Sequence, residues 1–177
     1  MTREETVVLL DEAGEHIGVA NKAEVHTTDT SLHLAFSCHV FDERGRVLVT
    51  RRALSKRTWP GVWTNSFCGH PAPGEPMADA VRRRGLDELG IAVTDLELVD
   101  ADFRYRATDA SGIVENEMCP IYFARTTQAP AANPDEVMDL VWVAPDQLRR
   151  TVEAAPWAVS PWLVSSFDRI AGRFGAA

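Results

Sequence analysis

The sequence lacks the features of several specialised classes of protein. Its 177 residues contain three dispersed cysteines, and this odd count predicts reduced thiols rather than a disulfide framework. No apolar run approaches the roughly 18 residues that a membrane span requires. The N-terminal sequence has four consecutive apolar residues before acidic residues return, so it resembles neither a signal peptide nor a transit peptide. We therefore expect a cytoplasmic protein without a membrane partner.

An excess of positive charge is also missing. The net charge of -8 at pH 7 argues against nucleic acid or an anionic membrane as the main partner. The sequence has no dinucleotide-binding fingerprint, which argues against a redox cofactor. The basic residues that do cluster are candidates for binding a small anionic molecule; they are Arg51, Arg52, Lys56 and Arg57.

What is present is an ordinary globular composition, with 45% apolar and 25% charged residues. This length and composition are sufficient for one hydrophobic core, so we expect a single domain over residues 1–177. Periodicity predicts helices over 76–89, from Pro145, and from Pro161 to Phe174. Strands are expected at residues 6–10, 17–20, 32–41, 46–52, 91–107, 113–124 and 137–143.

The stretch from Thr58 to Glu75, TWPGVWTNSFCGHPAPGE, is the centre of the sequence interpretation. Its glycine and proline residues disfavour a continuous helix or a central strand, so we expect an irregular active-site loop. Cys68 and His70 lie on it, and Gly69 between them would let the backbone approach a ligand. The alternative for Cys68 is a buried, inert thiol, which is the usual state of cysteine.

Five residues from distant segments predict a metal site. His26 and His33 lie in a polar segment, and Glu115 and Glu117 project from the same face of a predicted strand. Burying two neighbouring carboxylates in an apolar run costs free energy unless a cation pairs with them. With His70 they form a nitrogen and oxygen set suited to Mn²⁺, Fe²⁺ or Mg²⁺, or to Zn²⁺ with fewer ligands. Each histidine alone could equally be a surface or core residue.

The segment from Gly69 to Ile91 follows the Nudix box. The positions that match the motif are Gly69, Glu75, Arg83, Glu88, Gly90 and Ile91, and those that depart from it are Arg84, Gly85 and Asp87. Because Arg84 stands where the motif has a glutamate, a hydrolytic cluster of several Mg²⁺ ions would be weakened. Glu88 could still hold a single Mg²⁺ against a diphosphate.

Longer segments resemble a specific family. HTTDTSLHLAFS, TWPGVWTNSFCGHP, FRYRATDASGIVENEMCP and PWAVSPW are similar to type I isopentenyl-diphosphate isomerases, a divergent branch of the Nudix superfamily. The resemblance covers roughly residues 5 to 165. It implies a single-domain Nudix-like α/β/α sandwich with a mixed, curved sheet.

The resemblance also implies a set of site residues. One divalent ion, with Mn²⁺ preferred and Zn²⁺ or Mg²⁺ as alternatives, would be held by His26, His33, His70, Glu115 and Glu117. A second ion, Mg²⁺, would be bound with the substrate diphosphate through Glu88 and the main-chain carbonyl of Cys68. The catalytic pair would be Cys68 and Glu117, with Tyr105 hydrogen-bonded to Glu117.

The activity implied by the resemblance is interconversion of isopentenyl and dimethylallyl diphosphate by a monomer. The reaction passes through a tertiary carbocation, which the aromatic face of Trp162 would stabilise; the alternative for Trp162 is a core residue. Lys22, Arg52, Lys56 and Arg84 are candidates for binding the diphosphate, although each could also be a solvated surface residue. Two rival functions stay open, a Nudix diphosphohydrolase and a protein that binds prenyl diphosphates without turnover.

Overall fold

The computed structural model describes residues 5–174. Within that range the strands are β1 Thr6–Leu10, β2 His16–Asn21, β3 His33–Leu34, β4 Phe36–Phe41, β5 Val47–Arg52, β6 Trp63–Thr64, β7 Phe67–Gly69, β8 Thr94–Asp100, β9 Arg104–Thr108, β10 Val114–Met118, β11 Ile121–Arg125 and β12 Val137–Val143. The helices are α1 Lys22–Val25, α2 Met77–Leu89, α3 Pro145–Ala154 and α4 Pro161–Ile170, with short 3₁₀ turns at Pro156–Ala158 and Ala171–Arg173.

The strands form two mixed sheets. One has the order β2-β1-β3-β10-β9, and the other has the order β12-β5-β4-β11-β8, with β6 paired to β5 and β7 paired to β4. The β3–β10 and β4–β11 pairs are parallel, and the other pairs are antiparallel. The mixed α/β class expected from the sequence is confirmed, and its strands divide between two sheets.

The central strand of the larger sheet, β4, is buried on both faces. On β4, Phe36, Cys38 and Val40 belong to a core shared with α2, whereas Phe41 belongs to a second core shared with α3 and α4. This alternation follows from the two-residue period of a strand. Burial of each large apolar side chain contributes about 1.5 to 3 kcal/mol relative to exposure. Helices therefore cover the sheet from both sides.

Three segments predicted as single strands each supply two strands. Residues 113–124 divide into β10 and β11 at Pro120, which has no N–H to donate to a sheet ladder. Residues 91–107 divide into β8 and β9, because the chain bends at Ala101 and Asp102 to change sheets. Likewise 32–41 divides into β3 and β4, where the Ala35 N–H bonds the Met118 carbonyl at 2.9 Å. These three predictions of continuous strands are wrong.

Two further boundaries differ from the sequence expectations. The stretch 58–75 is not wholly irregular, because β6 and β7 lie within it. The last helix ends at Ile170, and Phe174 follows a 3₁₀ turn. The helix predicted over 76–89 is confirmed: it begins after Pro76 and ends at Gly90, whose φ of 63° gives the left-handed C-cap typical of glycine.

His39 is a core residue in β4. Its ring lies between Phe123 and Phe174, with centroids 5.7 and 5.4 Å away, and neither ring nitrogen has a hydrogen-bond partner. Burial lowers the pKa of His39 to about 3, so it is neutral in the folded protein. Among residues 5–174, no helix combines the length and apolar content needed to cross a membrane.

Candidate active site

A cavity of about 580 Å³ brings most of the predicted site residues together. Its walls include Lys22, His26, Arg52, Lys56, Cys68, His70, Arg84, Tyr105, Glu115, Glu117 and Trp162. Folding therefore brings together residues that are far apart in the sequence. Two predicted residues, His33 and Glu88, are buried behind the walls.

Strand register places the acidic residues. In the parallel β3–β10 pair His33 lies opposite Glu117, and in the antiparallel β9–β10 pair Tyr105 lies opposite Glu117. Glu115 and Glu117 are two residues apart on β10 and share a face, as the alternation of a strand predicts. His26 follows the short helix α1 as its C-cap.

Four side chains form a tight cluster, which we call the inner end of the cavity: His26, His33, His70 and Glu117. Their ligand atoms all lie within 4.8 Å of one another. The Nε2 atoms of His70 and His33 are 3.0 and 3.4 Å from Glu117 Oε1. Glu115 lies beside this cluster, with one carboxylate oxygen 2.9 Å from His26 Nε2. Its other oxygen accepts a hydrogen bond from the Thr58 hydroxyl at 2.6 Å.

Unpartnered nitrogens show that the inner end fits a divalent cation. The Nε2 atoms of His26 and His33 are buried and lie 2.9 Å from Glu115 and 3.4 Å from Glu117, but neither contact has hydrogen-bond geometry. The Nδ1–H of His33 donates to the Ser31 carbonyl at 2.9 Å, which leaves the Nε2 lone pair directed into the cluster. Buried polar atoms of this kind normally find a partner. A mixed set of imidazoles and a carboxylate is a suitable donor set for a transition-metal ion.

The electrostatics of the cluster agree with that fit. Burial lowers the pKa of His70 to about 4, so its imidazole is neutral. Burial would raise the pKa of Glu117, but contacts with His33 and His70 outweigh it and hold that pKa well below its usual range. Burial would lower the pKa of His33, but Glu117 raises it overall. A bound cation would replace the proton that these groups share.

Cys68 lies on β7, half-buried, next to Ser37 of β4. Its sulfur is 3.3 and 3.4 Å from the amide nitrogen and oxygen of Asn65, and 3.8 Å from the Ser37 hydroxyl. Burial raises the pKa of Cys68 to about 12, so the resting group is a thiol. At Gly69 an added Cβ would lie 2.7 Å from Arg84 and 2.9 Å from Phe36, so close packing excludes a side chain there.

An aromatic wall faces the cavity. Trp162, at the start of α4, is 3% exposed, and its ring centroid lies 5.4 Å from that of Trp59 and 5.7 Å from that of Tyr105. The Tyr105 hydroxyl donates to Glu117 Oε2 at 2.8 Å, in agreement with the hydrogen bond predicted from the sequence. The Arg52 guanidinium carbon lies 5.4 Å from the Trp162 ring centroid, a cation–π contact.

A second group of side chains in and beside the cavity wall carries paired charges, and we call it the mouth cluster: Glu5, Lys22, Lys56, Arg84, Glu88 and Glu136. Lys22 pairs with Glu5, and Lys56 pairs with Glu136. Arg84 lies 2.6 Å from Glu88, 3.3 Å from Glu136 and 3.4 Å from Glu5. Three cations thus meet three carboxylates, and the cluster is formally neutral.

The pKa shifts in the mouth cluster follow from this pairing. Burial would raise the pKa of Glu136, but the charge of Lys56, followed by that of Arg84, lowers it to about 2. Burial raises the pKa of Glu88 even though Arg84 opposes the shift. Glu88 therefore belongs with Arg84 in the mouth cluster and not with the histidines.

Arg52 is bonded differently from the other predicted cations. Its guanidinium donates to the Thr58 carbonyl at 2.8 Å and to the Trp59 carbonyl at 3.2 Å. It therefore holds the loop that carries Thr58 as well as lining the cavity. Sequence reasoning missed Thr58, Asn65, Glu5 and Glu136, because partners of each come from distant segments, as Trp162 does for Asn65. A polar Thr-Asn-Ser run before Cys68 was the one available signal for Asn65.

Comparisons with known proteins agree with this geometry. The family model described as the NUDIX domain matches residues 31–163. An isopentenyl-diphosphate Delta-isomerase of Agromyces mediolanus is 68% identical over 160 residues, which cover 90% of this chain and 78% of the relative. One of Brevibacterium linens is 57% identical over 166 residues, covering 94% of this chain and 91% of the relative.

This chain belongs to the isopentenyl-diphosphate Delta-isomerase family. The isopentenyl-diphosphate Delta-isomerase of Citrobacter koseri is also similar, 56% identical over 160 residues covering 90% of this chain and 88% of the relative. Among solved structures, a protein of Deinococcus radiodurans aligns with a TM-score of 0.71 at 20% identity, covering 93% of this chain and 98% of that one. At that identity the likeness concerns the fold alone. This chain therefore shares its fold with that protein.

Proposed function

We propose that this chain interconverts isopentenyl diphosphate and dimethylallyl diphosphate. The observation that carries the proposal is that Cys68 and Glu117 line one cavity, together with an aromatic wall and a cluster of cations. Its relatives carry the name of the same activity. The reaction moves a double bond by one carbon, so no electrons are gained or lost and no redox cofactor is required.

Cys68 and Glu117 are the proposed proton donor and acceptor. One of them adds a proton to the terminal alkene carbon, giving a tertiary carbocation. The other removes a proton from the carbon two positions along, and the double bond forms there. An alkene is a weak base, so the acid must lie against it in a water-poor site. Tyr105 bonds one oxygen of Glu117 and leaves the carboxylate in a fixed orientation.

Trp162 is the proposed stabiliser of the carbocation. An aromatic face attracts a cation by about 0.5 to 2 kcal/mol and does not trap it as a nucleophile would. The ring already lies beneath the Arg52 guanidinium, which supports its ability to face positive charge. Trp59, edge-on to Trp162, supports the same wall.

The mouth cluster is the proposed diphosphate site. Lys22, Lys56 and Arg84 supply point charges and a bidentate fork for phosphate oxygens. Because three carboxylates already neutralise them, we propose that the diphosphate enters together with Mg²⁺, held by Glu88 and the main-chain carbonyl of Cys68. Arg52 lies between this site and the aromatic wall, so we retain it as a substrate-binding residue.

The inner end is the proposed site of a resident divalent ion. His26, His33, His70, Glu115 and Glu117 would hold it, with Mn²⁺ preferred as the family resemblance implies and Zn²⁺ or Mg²⁺ as alternatives. When bound, the ion supplies positive charge that holds the two buried carboxylates ionised and in place. We also propose that residues 1–177 form a single domain that acts as a cytoplasmic monomer without nucleic-acid partners. The segments 33–41 and 114–125, which run through both sheets, support the single domain.

The proposed function is tested by NMR in deuterated water. Purified protein with Mn²⁺ and Mg²⁺ is incubated with isopentenyl diphosphate, and the vinyl and allylic signals are followed. We expect dimethylallyl diphosphate that carries deuterium. Release of inorganic phosphate would instead indicate a diphosphohydrolase, and an unchanged spectrum with tight binding would indicate a binding protein. Either of these two results contradicts the proposal.

A further inference from the structure

One buried side chain, Asn65, contacts both Cys68 and Trp162. It follows β6 in the chain, is 1% exposed, and lies behind the cavity wall. Its amide oxygen accepts from the Trp162 indole N–H at 3.1 Å and from the Cys68 thiol at 3.4 Å. Its amide nitrogen lies 3.3 Å from the Cys68 sulfur. The proposed mechanism assigns Asn65 no part, although it connects two of the groups on which that mechanism depends.

The remaining bonds of Asn65 fix its amide plane. The nitrogen donates to the Phe67 carbonyl at 2.8 Å and to the Cys38 carbonyl at 3.2 Å, and the oxygen also accepts from the Thr64 hydroxyl at 2.8 Å. An asparagine amide has two N–H donors and one oxygen with two lone pairs. Here three acceptors surround the donors and three donors surround the oxygen, so every hydrogen-bonding position of the side chain is used.

The same region connects the Cys68 segment to the start of α4. The Thr64 hydroxyl is 2.8 Å from the Ser160 hydroxyl, which caps α4 by accepting from the Leu163 N–H at 3.4 Å. The Ser160 N–H donates to the Trp63 carbonyl at 2.8 Å. The strand that precedes Cys68 and the helix that carries the Trp162 ring are therefore joined through one buried network.

We infer that Asn65 is a positioning residue that holds the Cys68 sulfur and the Trp162 ring in fixed relative geometry for the isomerisation. This inference rests on the proposed function. A misplacement of about 1 Å in a reacting group can cost on the order of 10²-fold in rate.

The test uses the full chain with its metal ions and the variant Asn65→Ala. We expect kcat to fall on the order of 10²-fold with KM within about 3-fold, because the diphosphate contacts are untouched. The control is Ser166→Ala, which removes another buried hydrogen bond, from the Ser166 hydroxyl to the Leu163 carbonyl at 3.2 Å. Each change should lower the midpoint temperature of thermal unfolding, but only Asn65→Ala should lower kcat.

A readout independent of activity is the ¹⁵N spectrum of the indole N–H groups. The chain has five tryptophans, and Trp162→Phe assigns the Trp162 peak by its disappearance. In Asn65→Ala that peak should shift upfield as its acceptor is lost, while the other four remain in place. Asn65→Ala with wild-type kcat overturns the inference. So does a loss of kcat that is matched by a fall in the folded fraction, with peaks shifting throughout the spectrum.

A second variant keeps the test decisive if Asn65→Ala does not fold. Asn65→Asp retains an oxygen for the indole and the Thr64 hydroxyl but loses the N–H donors near sulfur. We expect the Trp162 peak to stay and kcat to fall at least about 10-fold; wild-type kcat would contradict the inference. If the wild-type protein does not isomerise, the proposed function fails, while the indole spectrum still reports whether Asn65 bonds Trp162.

Discussion

The inner end and the mouth cluster satisfy their polar groups in opposite ways. At the inner end, His26 Nε2 and His33 Nε2 are buried beside carboxylates without hydrogen-bond geometry. In the mouth cluster, each of the three cations is paired with at least one carboxylate. The difference teaches that the inner end could hold a cation, whereas the ion pairs of the mouth cluster form without a ligand. A substrate must therefore compete with existing ion pairs at the mouth, and substitutions in the two groups should affect different kinetic constants.

The largest effect is expected at the inner end, from Glu117→Gln. This change removes a proposed proton carrier and an anionic ligand, so kcat should fall about 10³-fold or more. Metal content per chain, measured by atomic spectroscopy, should fall in parallel. A variant with normal metal content and a normal rate would remove Glu117 from the site.

Removal of the resident ion should lower thermal stability. A ligand at 100 times its Kd stabilises the folded state by about 2.7 kcal/mol, which is a shift of roughly 5 to 10 °C for a chain of this size. Chelation followed by calorimetry should show that shift. His70→Ala should abolish the dependence on the ion, whereas the exposed His16→Ala should retain it. An equal ion dependence in both variants would contradict the assignment.

A smaller effect is expected at the mouth, from Lys56→Gln. Loss of one charge-assisted contact to a phosphate oxygen should raise KM about 10-fold and leave kcat within about 3-fold. Arg44→Gln is the matched control, because Arg44 is an exposed cation that does not line the cavity. A fall in kcat with unchanged KM would show that Lys56 acts in the chemical step and not in substrate binding.

The smallest effect, with the opposite sign, is expected from Glu5→Gln. Glu5 is half-exposed and pairs with Lys22 and Arg84, so its neutralisation should free both cations for the diphosphate. Exposed pairs are worth about 0.2 to 1 kcal/mol, so KM should fall by up to about 5-fold. Steady-state kinetics at constant ionic strength measures this change. A rise in KM would show that Glu5 instead holds Lys22 in its binding position.

The sequence was sufficient for features that depend on local pattern. Helix α2 was predicted because Pro76 and Gly90 mark its ends, and the shared face of Glu115 and Glu117 follows from strand alternation alone. The strand breaks were missed because periodicity shows where a chain is extended but not which sheet it pairs with. At Pro120, for example, one apolar run supplies strands to both sheets.

The composition of the site was predicted better than its internal bonding. The histidines, Cys68 and Tyr105 stand in distinctive local sequences. The partners that determine charge and orientation do not: Glu136 follows a surface loop and Asn65 lies in a short polar run. Their contacts are set by the tertiary fold, 80 residues away for Lys56 with Glu136 and 97 residues away for Asn65 with Trp162.

We assign substrate binding to the mouth cluster and proton transfer to Cys68 and Glu117. The most direct test of this separation is the rate at which Cys68→Ala incorporates deuterium into product. The variant keeps the histidines and the mouth cluster, so it should bind metal and substrate as the wild type does. We predict that deuterated dimethylallyl diphosphate forms at least about 10³-fold more slowly, because one of the two proton carriers is gone. A variant that incorporates deuterium at near the wild-type rate would contradict the account.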